Sequence, residues 1–275
     1  AADCKRLGVP HDILTWTGWD GRGNLPDQAR RARYGLMAGW ARGQGIASIA
    51  IAHTADDQAE TFLMRLARGA GVDGLSAMSE RFESDGVTLC RPALSVFRHE
   101  LRAVLEDRGM SWVDDPSNED LRYERVKARA ALQEMAPLGI TAASLVTVAR
   151  QMSDVRKTLY LYALEAAQRL VRVHSGDLVF DRSGFDGLPR ETARRLLQTS
   201  LKWISGAEYA PRGRALDDLL ESVAEGRDMT LQGCLVTLRK EDLRITREWK
   251  AVASERCMVT DVWDGRWRLE GPDIA

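Results

Sequence analysis

The sequence has little that would tie it to a membrane, a disulfide framework or a metal. No run of about 18 apolar residues occurs, so no membrane span is expected. "AADCKRLGVP" is not expected to be a secretory signal, because no apolar stretch follows its basic residues. The four cysteines, Cys4, Cys90, Cys234 and Cys257, are far apart and form no C-x-x-C pair. Free thiols and a cytoplasmic location follow as expectations. His11, His99 and His174 show no ligand spacing, so no zinc site is expected. Large charge of either sign is also missing: 39 basic residues face 40 acidic ones, for a net charge of −1. Any nucleic-acid face must therefore be a local arginine cluster rather than a global basic field. The tryptophans are scattered and form no stacking ladder for single-stranded RNA. Repeats and low-complexity segments are absent.

What is present is an alternation of helix and strand patterns. "AADCKRLGVP" reads as a helix end and "HDILTW" as a strand. "TGWDGRGNLPDQ" reads as a loop. A helix follows, with Tyr34, Met37, Ala38 and Ala41 at helical spacing and Gly43 and Gly45 at its end. Ile46 to Ala52 is short and continuously apolar, as a buried parallel strand is. Further candidates are a helix over "DDQAETFLMRLARG", a strand over "VTLCRPAL", a helix with Leu101, Val104, Leu105 and Arg108 on one face, and a strand at "MSWVDD". This alternation predicts an α/β fold, a parallel sheet with helices on both faces.

Beyond Pro137-Leu138-Gly139 the pattern changes. A long helix begins at Thr141, and its stripe of Leu145, Val148, Met152, Val155, Leu159 and Tyr162 reads as core packing. A strand-like "GDLVFDRSGF", two more helices and a hairpin over "CLVTLRKEDLRITRE" follow. The division expected is an α/β domain over 1–137, a mostly helical domain with a small β-hairpin over 138–250, and the start of a third region over 251–275.

The charged residues around the apolar strand carry the chemistry. Asp56 or Asp57 can cap the helix after His53. Ala59, Phe62, Leu63 and Leu66 make its buried stripe, while Asp57, Glu60, Thr61, Met64 and Arg68 share another face. Asp57 and Glu60 thus point together, just beyond the C-terminal end of a strand, where open α/β sheets bind ligands. Two carboxylates there suit a divalent cation or an ammonium group. Gly69, Gly71 and Gly74 give the backbone room to approach a ligand, though loops use glycine in any case. Arg30 and Arg33 share a face before the same strand, either as a solvated basic face or as a phosphate contact. Arg122, Arg125 and Arg129 recur at three and four, and Arg125 and Arg129 form one ridge. That ridge suits phosphate or an RNA backbone; pairing with Glu119 and Glu124 within the helix is the alternative. His53, alone at the strand end, reads as a hydrogen-bonded structural residue or as part of the site.

These blocks resemble a known family. "AHTADDQAETFLMRLARGAGVDGLSAM" resembles the signature H-H-x-D-D-Q-x-E-T-x-L-x-R-x-x-R-G-S-G-x-x-G-L of tRNA(Ile)-lysidine synthetases, members of the N-type ATP pyrophosphatase (PP-loop) group. "QARRARY" resembles A-R-x-x-R-Y, and "RPAL" resembles R-P-L-L. "DDPSNED" with "YERVKAR" resembles D-x-S-N-x-D with Y-x-R-N-x-x-R. Thr54 stands where the family has a second histidine and Val126 where it has asparagine. The family's S-G-G-x-D-S phosphate loop is not among these residues, so an N-terminally incomplete chain is expected.

The resemblance implies an ATP-dependent ligase. ATP adenylates C2 of the wobble cytidine in an isoleucine tRNA with a CAU anticodon, and free L-lysine then displaces AMP. It implies catalytic roles for Asp57 and Glu60, with Mg2+ as a cation they could hold. It implies substrate or phosphate binding by His53, Arg68, Gly69, Gly71, Arg30, Arg33, Arg125 and Arg129. It leaves a homodimer open. The alternatives are a non-catalytic tRNA-binding relative and a PP-loop tRNA thiolation enzyme; the latter commonly needs paired cysteines that this sequence lacks.

Overall fold

The computed structural model describes residues 2–19, 21–23, 25–114, 120, 122–211, 213–258 and 261–268. They fall into two compact units, 1–154 and 155–275. No single helix among them is long and apolar enough to cross a membrane.

The first unit runs α1 (Ala2–Arg6), α2 (Leu25–Gly43), β1 (Ser48–Ala50), α3 (Ala55–Leu66), α4 (Val72–Leu75), β2 (Arg81–Ser84), β3 (Val87–Cys90), α5 (Arg98–Asp107) and α6 (Glu124–Met135). A short 3-10 turn, Ala136–Leu138, leads to α7 (Ala142–Leu170). The sheet order is β1-β3-β2, with β1 parallel to β3. β2 pairs antiparallel with β3 through a tight turn in which Asp85 and Gly86 both have positive φ. This antiparallel strand was not expected, because "RFES" is too short and polar to stand out as one. α2 covers the sheet by burying Ala38 and Ala41 against Val87 and Ile49. Small residues at that seam let helix and sheet approach closely. Parallel pairing of β1 and β3 has one consequence for function: their C-terminal ends open onto the same edge, so the residues just after them, His53 and Arg91, emerge together.

Several expectations fail here for one reason: apolar spacing reports what could be buried, not what is. Residues 11–16 and 110–114 form no strand, since neither has a paired backbone among the described residues. Ile13 and Val113 are instead exposed, and Asp12 accepts a hydrogen bond from Trp40 Nε1 (2.8 Å). α5 buries no residue, and its Leu101 and Val104 face outward. Leu66 of α3 is exposed as well. In α7, Leu145 and Ala149 join the core of the first unit, and Ala163, Ala166 and Leu170 are buried in the second. Val148, Val155 and Tyr162 between them are exposed, so the stripe is not a continuous core seam. Thr141 and Ser144 cap this helix reciprocally, each backbone N–H donating to the other's hydroxyl (2.9 and 3.2 Å).

The second unit continues with β4 (Val171–His174), β5 (Asp177–Asp181), α8 (Arg182–Asp186), α9 (Arg190–Ser205), α10 (Arg214–Ala224), β6 (Met229–Leu231), β7 (Cys234–Leu238), β8 (Asp242–Arg247) and α11 (Trp249–Val252). The expected hairpin forms as β7–β8. It is the centre of a five-stranded antiparallel sheet, β4-β5-β8-β7-β6, rather than an isolated feature. Alternation along β7 and β8 sends Cys234, Val236, Leu238, Leu243 and Ile245 inward. They meet Leu197, Leu201 and Ile204 of α9 and Leu216 and Leu219 of α10. Each such residue contributes roughly 1.5–3 kcal/mol by leaving water. Burial there pushes the Cys234 thiol up to about 11, so it stays protonated and unreactive.

Candidate active site

The site is built on α3. Thr54 precedes the helix in extended conformation, and Asp57 Oδ2 accepts from both its backbone N–H and its hydroxyl (2.8 Å each). Asp57, not Asp56, therefore satisfies the helix start. Asp56 does something sequence spacing could not show: its Oδ2 accepts the backbone N–H of Arg98 at the first turn of α5 (2.7 Å). One carboxylate thus locks the N-terminal ends of two helices together. Asp56→Ala is expected to cost about 1 kcal/mol, the usual loss for a helix cap. A melting temperature unchanged from wild type would refute that role.

Asp57 and Glu60 share a face, as their spacing requires, and that face meets α6. Arg125 Nη1 donates to Asp57 Oδ1 (3.0 Å), and Arg129 Nε and Nη2 donate to Glu60 Oε1 (3.1 and 2.9 Å). Arg98 adds a 4.0 Å ion pair to Glu60. The ridge of Arg125 and Arg129 therefore engages carboxylates of a neighbouring helix. Glu124 pairs with Lys127, and Arg122 pairs with Asp120 rather than joining the ridge. Glu119 lies outside the described residues.

The two carboxylates differ in their environment. Asp57 is 15% exposed and Glu60 only 2%. Burial alone would raise the Asp57 carboxyl, but the Thr54 hydrogen bonds, Arg125 and Arg98 outweigh it and hold it below the ordinary range. For Glu60 burial wins over Arg129, and nearby Asp57 adds to it, so its carboxyl is raised. Glu60 Oε2, Thr61 Oγ1 and His53 Nδ1 are buried with no hydrogen-bond partner. Burial and then Arg91 push the His53 imidazole down, which keeps it neutral.

A second cluster lies at the same sheet edge. Arg91, directly after β3, is buried, with Nη1 donating to the Ser79 carbonyl (2.5 Å) and its guanidinium over the Phe82 ring (4.4 Å). It also lies against the Tyr34 hydroxyl. Arg30 and Arg33 sit over the Tyr34 ring at 5.6 and 5.4 Å. Burial opposes ionisation of the Tyr34 phenol, but the three arginines outweigh it and lower its pKa. Arg91 was not among the expected site residues; the available signal was its place immediately after an apolar strand, in "RPAL".

Of the expected site residues, His53, Asp57, Glu60, Arg125, Arg129, Arg30 and Arg33 come into these two clusters, since His53 senses charges in both. Arg68 does not join them. It is exposed and its charge acts on Glu124. Gly69 and Gly71 lie in the turn after α3, which Arg65 Nη1 pins through the carbonyls of Gly74 (3.0 Å) and Ala77 (2.7 Å). Gly69 has φ +68°, a conformation glycine favours, and open space where a side chain would point.

A family model described as a PP-loop domain matches residues 1–136. The tRNA(Ile)-lysidine synthase of Ruegeria pomeroyi is 50% identical over 100% of this chain and 65% of its own length. That of Methylobacterium nodulans is 36% identical over 88% of this chain and 75% of its own. The chain belongs to the tRNA(Ile)-lysidine synthase family. The synthase of a Wolbachia strain from Brugia malayi is 36% identical over 89% of this chain but 58% of its own length. The chain thus spans under two thirds of some of its lysidine synthase relatives. Within the family frame, the α/β unit carrying β1 and α3 is the PP-loop part of the fold.

Proposed function

We propose that this chain carries the activity for which its relatives are named, the ATP-dependent joining of lysine to the wobble cytidine of an isoleucine tRNA with a CAU anticodon. In that reaction C2–O of the cytidine is adenylated with release of pyrophosphate. The lysine amine then forms a C–N bond at C2, AMP leaves with the oxygen, and the amine gives up a proton. In this reading the protein is a carbon–nitrogen ligase with ATP, tRNA and L-lysine as substrates. The α/β part over 1–137 does the chemistry, while 138–250 and 251–275 serve the tRNA.

The observation that carries this is the pair of carboxylates on one face of α3, Glu60 buried with one oxygen unpaired and Asp57 more exposed and held by Thr54 and Arg125, with their carboxyls displaced in opposite directions. Two neighbouring acids pushed apart are suited to different tasks. Asp57, held ionised, attracts the lysine ammonium. Glu60, with the higher proton affinity, takes the proton released as the amine attacks. His53 and the remaining arginines line the anionic side of the reaction. Arg68, Gly69 and Gly71 stay in this reading as residues for substrate approach. Both carboxylates are engaged by guanidinium groups, so Mg2+ held here, like the lysine ammonium, would displace Arg125 or Arg129, and it would draw its remaining ligands from substrate phosphates and water. Among the described residues no group of three or more acidic, histidine or cysteine side chains could hold a metal.

The test is incorporation of radiolabelled lysine into the CAU isoleucine tRNA by the full-length gene product. Incorporation dependent on ATP supports the reading. None, where a known lysidine synthase succeeds under the same conditions, rejects it.

A further inference from the structure

The face of α3 that carries Asp57 and Glu60 has a third polar residue, Thr61. Helical spacing makes Asp57 the neighbour of both, three residues before Glu60 and four before Thr61. Thr61 is 7% exposed, yet its hydroxyl has no hydrogen-bond partner. A threonine inside a helix commonly donates to the carbonyl four residues back, and this one does not. Glu60 repeats the pattern: Arg129 takes Oε1, while Oε2 is buried without a partner. Two orphaned oxygens on adjacent residues are costly, because each has given up water and gained nothing. A ligand that donates to both offsets that cost. The shape of the donor decides its class. A guanidinium is a rigid planar fork, and those of Arg125 and Arg129 reach Asp57 Oδ1 and Glu60 Oε1. A primary ammonium is a compact group with three donors. Three acceptors answer it: Glu60 Oε2, Thr61 Oγ1 and Asp57 Oδ1. The last is held by half-exposed Arg125, which an incoming ammonium can replace.

We propose that Thr61 is a substrate-binding residue whose hydroxyl completes a three-oxygen seat for the reacting amine of lysine. This rests on the lysine-joining reading above and adds to it the residue that completes the seat. The free oxygen of Glu60, Oε2, then has a defined task. One N–H bond of the seated ammonium breaks, an O–H bond forms at Oε2, and the nitrogen lone pair is left to attack C2.

The experiment is Thr61→Val in the full-length protein, which deletes the hydroxyl and keeps the branched shape. Binding and stability should respond differently. The KM for lysine is expected to rise about tenfold, the scale of one hydrogen bond to a charged group, with the KM for ATP unchanged. The melting temperature should hold or rise, since a methyl replaces an unsatisfied buried hydroxyl. Thr61→Ser keeps the hydroxyl and should keep the wild-type KM for lysine. A lower melting temperature with an unchanged KM for lysine overturns the proposal and makes Thr61 a packing residue. An equal rise in both KM values overturns it as well. If Thr61→Val does not fold, Thr61→Ala carries the same measurement, and an unchanged KM for lysine overturns the proposal. If the wild type joins no lysine, calorimetry with n-butylammonium decides. About tenfold weaker binding by Thr61→Val keeps the seat while the lysine-joining reading fails, and equal binding rejects both.

Discussion

Replacing Arg129 by Met is expected to cost about 3 kcal/mol at neutral pH, the lower end of what breaking a buried ion pair costs. The lower end applies because Arg129 is itself one-third exposed. Glu60 would be left 2% exposed, with Arg98 at 4.0 Å as its remaining ion-pair partner and one oxygen already unpaired. The loss should depend on pH with a definite sign. Glu60 is raised above the ordinary carboxylate range when folded, and removing Arg129 raises it further. In the window between the ordinary value and the raised one, the folded state holds a proton that the unfolded state has released. Stability therefore falls as pH rises through that window, and the deficit is small on its acidic side. Asp57, shifted the other way, loses its contribution only on acidification through its own lowered value, so the two effects separate. Urea midpoints at about pH 5 and pH 8 measure this. A deficit that is the same at both pH values would show that Glu60 is not the source. Adding Glu60→Gln to Arg129→Met should recover most of the loss.

The second large effect is on turnover. Asp57→Asn is expected to lower lysine incorporation by about 100-fold, the scale of removing one charged or acid–base group from a reacting site. Asparagine is the informative choice. Its amide oxygen can still accept from Thr54, so the start of α3 survives, whereas Asp57→Ala removes cap and charge together. The melting temperature should move by no more than a few degrees, consistent with about 1 kcal/mol. Wild-type turnover in a folded Asp57→Asn protein would remove Asp57 from the site.

Much of this arrangement was legible in the sequence because it is local. Three-residue spacing puts Asp57 and Glu60 on one side of a helix, and four-residue spacing puts Arg125 and Arg129 on one side of another. That these two sides face each other is a tertiary fact, and no spacing reports it across the intervening chain. The same limit explains Asp56, whose partner is a backbone N–H on α5, and Arg91, whose neighbours come from α2 and β2. Apolar periodicity misled in the opposite direction. Leu101, Val104, Val148, Val155 and Tyr162 sit at helical spacing yet face outward. In the second unit, alternation over Cys234–Arg247 revealed two strands and "GDLVFDRSGF" a third; β4 and β6 were missed although they pair locally with β5 and β7, and only the β5–β8 pairing that joins the two hairpins is distant in the chain.

The order of the ion pairs fixes a direction. Asp57 meets Arg125 and Glu60 meets Arg129, so α3 and α6 run the same way with their first turns level. Through Asp56, the first turn of α5 is drawn to the same place. The first turns of three helices, α3, α5 and α6, are thus tied together through carboxylates of α3. The carboxylates of α3 act as one clasp: Asp56 holds α5 while Asp57 and Glu60 hold α6, so unwinding the first turns of α3 would release both neighbours.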